Sequence, residues 1–105
     1  MATVELTAEN FESVIGGADL ALVDFWAAWC GPCRMVAPEM TKAAKNLAGR
    51  ALVLKVDTDA NAELSSRFGI RSIPTIAVFH HGREVNRAAG VMSASAIEGM
   101  VPQLV

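Results

Sequence analysis

Residues 20–40 read LALVDFWAAWCGPCRMVAPEM, and the way this stretch divides decides the fold. Leu20 to Trp26 is nearly continuous apolar sequence broken by one charged residue, Asp24. A strand covered on both faces reads this way, whereas a strand with one wet face alternates. From Cys33 to Leu47 the period changes. Val36, Met40, Ala43, Ala44 and Leu47 recur at three- and four-residue steps, which predicts a helix. Pro38 lies inside it and predicts a kink, because proline removes a backbone donor. Cys30 and Cys33, both cysteines of the chain, fall where strand gives way to helix. Thiols at that spacing on a first helical turn face the same side. They come within the Cα separation of roughly 4.4–6.8 Å that a disulfide needs. Such a pair is a reversible two-electron switch.

Outward from this stretch, strand-like and helix-like runs alternate. Thr7 is a candidate N-cap for a helix over Ala8–Ile15, with Glu9 and Glu12 near its positive end and Gly16-Gly17 closing it. Ala51–Val56 is a second buried strand, Ala60–Phe68 a short helix closed by Gly69, and Thr75–Phe79 a third strand. His81-Gly82 predicts a hairpin turn and Glu84–Ala88 the returning strand. Ser93 can cap a last helix reaching about Leu104. Strand–helix–strand followed by a hairpin predicts an α/β fold, a mixed central sheet with helices on both faces.

At 105 residues the chain is expected to form a single domain over 1–105, long enough to bury one packed core. Apolar residues make up 52% and the net charge is −2. That composition argues against disorder and against binding to nucleic acid or an anionic membrane surface. The longest apolar runs fall short of the roughly 20 residues a membrane helix needs. Met1–Leu6 has neither a basic region nor an apolar signal core, so a cytoplasmic location is expected. In a reducing compartment a lone cysteine pair is more often catalytic or metal-binding than structural.

The run Trp26-Ala27-Ala28-Trp29-Cys30-Gly31-Pro32-Cys33-Arg34 resembles the active-site motif of the thioredoxin family. Asp24 in the preceding strand, Pro38 in the following helix, Ile73-Pro74-Thr75 before the hairpin, Gly82 and Gly90 stand where that family has them. The resemblance extends from about Val4 to the C-terminus. It implies the thioredoxin fold, with a central mixed five-stranded sheet flanked by four helices. It also implies protein-disulfide reductase activity, general electron donation to protein disulfides. The implied partners are disulfide-containing protein substrates and a thioredoxin reductase that passes on electrons from NADPH; no bound cofactor is implied beyond the redox-active disulfide. A monomer is expected. The family often has Gly where this chain has Ser72, beside the substrate-facing loop, which bears on partner preference and not on the reaction.

The chemistry gives each residue a role. The nucleophile in disulfide exchange is a thiolate. Making a thiol half ionised near neutral pH requires about 2 kcal/mol of stabilisation, and a helix N-terminus supplies roughly 0.3–2 kcal/mol to a nearby anion. Cys30, at the helix start, is the expected exposed nucleophile. Cys33, one turn in, is the expected resolving thiol, more buried and neutral until needed. Asp24, a carboxylate in an apolar strand, is the candidate general acid/base for Cys33. Lys55, in the next apolar strand, is a candidate supporting residue for Asp24. Pro32 suits a first helical turn, and Gly31 keeps the loop narrow for an approaching backbone. The resemblance implies a cis bond at Ile73–Pro74, which would turn the backbone of Ser72 and Ile73 toward a substrate strand. Trp26 and Trp29 would rim the thiols, and Gly90 to Met92 would form another side of the contact surface.

Other readings compete. A zinc site would need two more ligands, and His80 and His81, as strand neighbours, point to opposite faces; no metal site is expected. Haem attachment needs His after the second cysteine, where Arg34 stands. A purely structural disulfide closing so small a loop would stabilise little. A same-fold thiol oxidant or isomerase, and a non-catalytic partner-docking scaffold, are the alternative functions. Relatives of the oxidant class commonly carry His in place of Pro32.

Overall fold

Side-chain parity along the central strand organises the molecule. The computed structural model describes residues 4–7 and 9–102. Its elements run β1 (Val4–Leu6), α1 (Phe11–Gly16), β2 (Leu20–Trp26), α2 (Gly31–Asn46), β3 (Leu52–Asp57), α3 (Ala62–Arg67), β4 (Thr75–His80), β5 (Arg83–Ala89) and α4 (Ala94–Glu98). The five strands form one sheet ordered β1-β3-β2-β4-β5. β1 and β2 run parallel to β3, while β4 lies antiparallel to both β2 and β5.

Successive strand residues face opposite sides, and the core divides accordingly. Leu20 and Leu22 of β2, with Ile76 and Val78 of β4, pack on Val36, Met40, Ala43 and Leu47 of α2 and its end and on Ile97 of α4. Ala21, Val23 and Phe25, with Ala77 and Phe79, pack on Phe11, Ile15 and Leu64 from the α1 and α3 side. This two-sided burial is why Leu20–Trp26 carries no polar alternation. Asp24 shares parity with Leu20 and Leu22, so it is directed to the α2 face. Lys55 shares parity with Val53, on that same face, and is the direct register partner of Asp24.

Helix starts and ends differ from the sequence expectations for local reasons. Thr7 and Asn10 exchange hydrogen bonds: Thr7 N–H donates to Asn10 Oδ1 at 2.8 Å, and Asn10 N–H to Thr7 Oγ1 at 3.3 Å. That closed turn delays α1 to Phe11; Ala8, where it was expected to begin, lies outside the described residues. α2 begins two residues early and continues through Pro38 as one element. Ser93 caps α4 as expected, its Oγ accepting from Ala96 N–H at 3.2 Å. However, α4 ends at Glu98, not near Leu104. Beyond Gly99 the chain tightens, Met100 and Val101 bury against the core, and Asn86 Nδ2 donates to the Met100 carbonyl at 3.3 Å. Leu104 lies outside the described residues.

The β4–β5 turn is His81-Gly82, with φ of 50° and 83°. Both values are positive, as a two-residue hairpin that matches strand twist requires. The left-handed His81 ends the strand alternation, so its ring does not point away from His80 as expected. The two rings stand 4.2 Å apart. β5 is an outer strand, mostly exposed, bearing Arg83, Glu84 and Arg87. Its register slips against Val78 and Phe79, leaving Val85 as the unmatched residue of a bulge.

Candidate active site

The two cysteines lie just past the C-terminal end of β2, where the chain enters α2. Cys30 is the N-cap of α2, in extended conformation, and its Sγ accepts the Cys33 N–H at 3.2 Å. A sulfur thus occupies the place usually taken by a Ser, Thr, Asp or Asn oxygen, where orphan N–H groups and the helix macrodipole favour negative charge. Pro32 falls in the first turn, where its missing N–H costs nothing. Cys30 and Cys33 are joined in a disulfide, with Cα atoms 5.2 Å apart.

Both sulfur residues are buried, Cys30 at 4% and Cys33 at 3% exposure, which corrects the expectation of an exposed Cys30. Ala27, Trp26 and Ile73 pack around them. What separates the two is surroundings. Cys30 Sγ lies 3.7 Å from the Ile73 carbonyl, on the side where the chain faces solvent at Trp29. Cys33 borders a partly open cavity of about 160 Å³ that it shares with Asp24, Trp26, Arg34, Thr41 and Lys55. The structure therefore brings Asp24, Lys55 and Cys33 to one cavity. Lys55 Nζ stands over the Trp26 ring, 5.0 Å from its centre. Trp26 lines the wall of that cavity, its Nε1 buried without a hydrogen-bond partner among the described residues.

On the outer side, Trp29 is 67% exposed, and its Nε1–H donates to Asp59 Oδ2 at 2.8 Å. The Ile73–Pro74 peptide bond is cis. The Pro74 carbonyl accepts the Gly90 N–H at 2.9 Å, and Gly90 has φ of 100°. The Ser72 carbonyl accepts from Thr75 Oγ1 at 2.6 Å. Arg34 Nη1 donates to the Ala28 carbonyl at 2.7 Å, bracing the loop before Cys30. The sequence pattern assigns neither Arg34 nor Asp59 these contacts. The available signal for Asp59 was its place after β3, because parallel neighbours β2 and β3 put their following loops side by side at the carboxyl end of the sheet. Among the described residues, no three His, Cys, Asp or Glu side chains are grouped to hold a metal ion, and no helix is long and apolar enough to cross a membrane.

A dithiol pair capping a helix, set at the carboxyl end of a mixed sheet against a cis-proline loop, defines a thiol–disulfide oxidoreductase. The thioredoxin family model matches residues 2–103. The chain is 45% identical over 100 residues to thioredoxin of Alicyclobacillus acidocaldarius, covering 95% of each chain. It is 41% identical over 97 residues to thioredoxin 1 of a Nostoc species, covering 91% of each. A solved Plasmodium falciparum thioredoxin structure superposes with a TM-score of 0.85 at 33% identity, covering 92% of this chain and 94% of that one. The chain belongs to the thioredoxin family. It is a protein-disulfide reductase whose redox group is the Cys30–Cys33 disulfide.

Proposed function

We propose that this chain, folding as a single domain over 1–105, works as a monomeric cytoplasmic electron carrier in which Cys30 attacks and Cys33 resolves. In the reduced protein the Cys30 thiolate attacks one sulfur of a substrate disulfide. A mixed disulfide forms and the other substrate sulfur leaves as a thiolate. Cys33 then loses its proton to Asp24 and attacks Cys30 Sγ. The Cys30–Cys33 disulfide forms, and the second substrate sulfur departs and takes up a proton. Two electrons pass to the substrate per cycle. Electrons return from NADPH through a thioredoxin reductase by the reverse sequence.

The observation that carries this division is the N-cap position of Cys30 Sγ, 3.2 Å from the Cys33 amide. A thiolate there gains the hydrogen bond and the helix-start field together. Asp24 is supported as the proton acceptor by the cavity it shares with Cys33, and Lys55 as its helper by direct register across β2 and β3. The partner-contact face comprises Trp29, Gly31, Pro32, Ile73, Pro74, Gly90 and Met92, grouped by the exposure of Trp29 and the bond from Gly90 to Pro74. The test supplies NADPH and a thioredoxin reductase and follows reduction of insulin disulfides. Steady NADPH consumption with insulin reduction is expected. Oxidation of substrate thiols without reduction of disulfides would overturn the reading.

A further inference from the structure

The segment Gly90-Val91-Met92-Ser93 spans the gap between the Pro74 turn and the helix that carries the cysteines. Gly90 is tied down at its N–H by the Pro74 carbonyl, 2.9 Å away. At the far end, the N–H of Ala94 donates to Glu39 Oε1 at 2.9 Å. Glu39 lies on α2, two turns beyond Cys33, and its other oxygen accepts from Lys42 Nζ at 3.0 Å. The Ala94 N–H is one of the orphan donors at the start of α4. Ser93 satisfies a different one, that of Ala96. A side chain of a second helix thus completes the cap of the first. Between the two anchors, Val91 is 51% exposed while Met92 packs against the core under α2.

We infer that Glu39 is a positioning residue for substrate recognition: by accepting the Ala94 N–H it fixes the Gly90–Met92 loop relative to the cysteine-bearing helix, so that a protein substrate meets a preformed surface. This inference rests on the contact face proposed above. Glu39 touches neither substrate nor sulfur. Its effect is to remove, before the encounter, the ordering cost that a mobile loop would add to binding. Disulfides that reach the sulfurs without spanning the loop gain nothing from it.

The test compares the parent protein with Glu39→Leu, which keeps bulk and helix propensity but cannot accept a hydrogen bond, and with Glu39→Gln, which still can. Each protein is reduced beforehand. Its second-order rate constant is measured with insulin and with 5,5′-dithiobis(2-nitrobenzoate), a small disulfide. For Glu39→Leu the insulin rate should fall about three- to tenfold, the span of one net hydrogen bond. The small-disulfide rate should stay at the parent value, and the Ala94 amide should exchange faster with solvent. Glu39→Gln should restore the insulin rate to within about twofold. An unchanged insulin rate in Glu39→Leu overturns the inference. So does an equal loss with both disulfides, which marks a general structural defect, or a Glu39→Gln rate as low as that of Glu39→Leu, which assigns the effect to the Lys42 pair. Failure of the parent protein to reduce either disulfide would sink the reductase assignment itself, and the loop inference with it.

Discussion

Trp29 and Asp59 are thirty residues apart, yet the indole N–H of the first donates to the carboxylate of the second at 2.8 Å. The bond ties the loop before Cys30 to the loop after β3. It holds a large exposed ring in one orientation beside the sulfurs. A flat ring held still presents contact area at little entropic cost on binding. Asp59→Ala should therefore raise KM for insulin about threefold to tenfold with little change in kcat. Steady-state kinetics with NADPH and reductase measure this, and a change confined to kcat would contradict it.

The cysteines should separate cleanly by substitution. Cys30→Ser should reduce turnover to background, because the remaining thiol, Cys33, lacks the N-cap position that favours a thiolate. Cys33→Ser should stop after the first exchange and accumulate mixed disulfides with substrate, visible as reducible adducts on non-reducing gels. Adducts formed by Cys30→Ser instead would reverse the assignment.

Asp24 and Cys33 share one cavity, so proton removal is expected to limit the second exchange. Asp24→Asn should slow decay of the mixed disulfide near neutral pH by about tenfold to a hundredfold while leaving its formation nearly unchanged. Stopped-flow single-turnover measurements resolve the two steps, and equal slowing of both would remove Asp24 from the proton path.

The Glu39 carboxyl is held below its ordinary value of 4.5, first by the Ala94 N–H and then by Lys42. A depressed folded value means that the charged form is favoured by folding. Its contribution is complete above the unfolded value and is lost as pH falls through the folded one. The stability difference between the parent and Glu39→Gln should thus be constant from neutral pH downward and shrink only below 4.5. Urea midpoints over a pH series would show it, and a difference that persisted undiminished in strong acid would refute it.

Phe79 is fully buried and packs edge-on against Phe11 and Phe68, with ring centres 5.8 and 5.5 Å away. Phe79→Ala should cost about 3–5 kcal/mol through lost burial and the cavity left behind. That is a large share of the roughly 5–15 kcal/mol typical of a whole domain. Denaturant unfolding measures it, and a loss under about 1 kcal/mol would mean that the site collapses around the smaller residue.

The legible parts of this chain are those decided by neighbouring residues. The bounds of β2 follow from the sequence because burial on both faces leaves an unbroken apolar run. The place of Cys30 near a helix start follows because Pro32 and the periodic run after Cys33 mark one, although its role as the N-cap does not. Asp24 was legible as the one charge in that run. Misplaced boundaries trace to side chains that compete with helical hydrogen bonding, as Thr7 and Asn10 do, or to tertiary capture of the backbone, as Asn86 does at Met100. His81 escaped the strand alternation because a left-handed turn residue does not obey it. Burial of Cys30 depends on Ile73, which the topology alone brings near. The links from Trp29 to Asp59 and from Glu39 to Ala94 join segments thirty and fifty-five residues apart, and no local pattern announces them.

An outer strand whose backbone groups lack a neighbour is a template on which a second copy could add. Along β5 the charges of Arg83, Glu84 and Arg87, together with the skip at Val85, spoil that template. Ruffled and ionic along this selvedge, β5 is a poor seed for edge-to-edge fibrils.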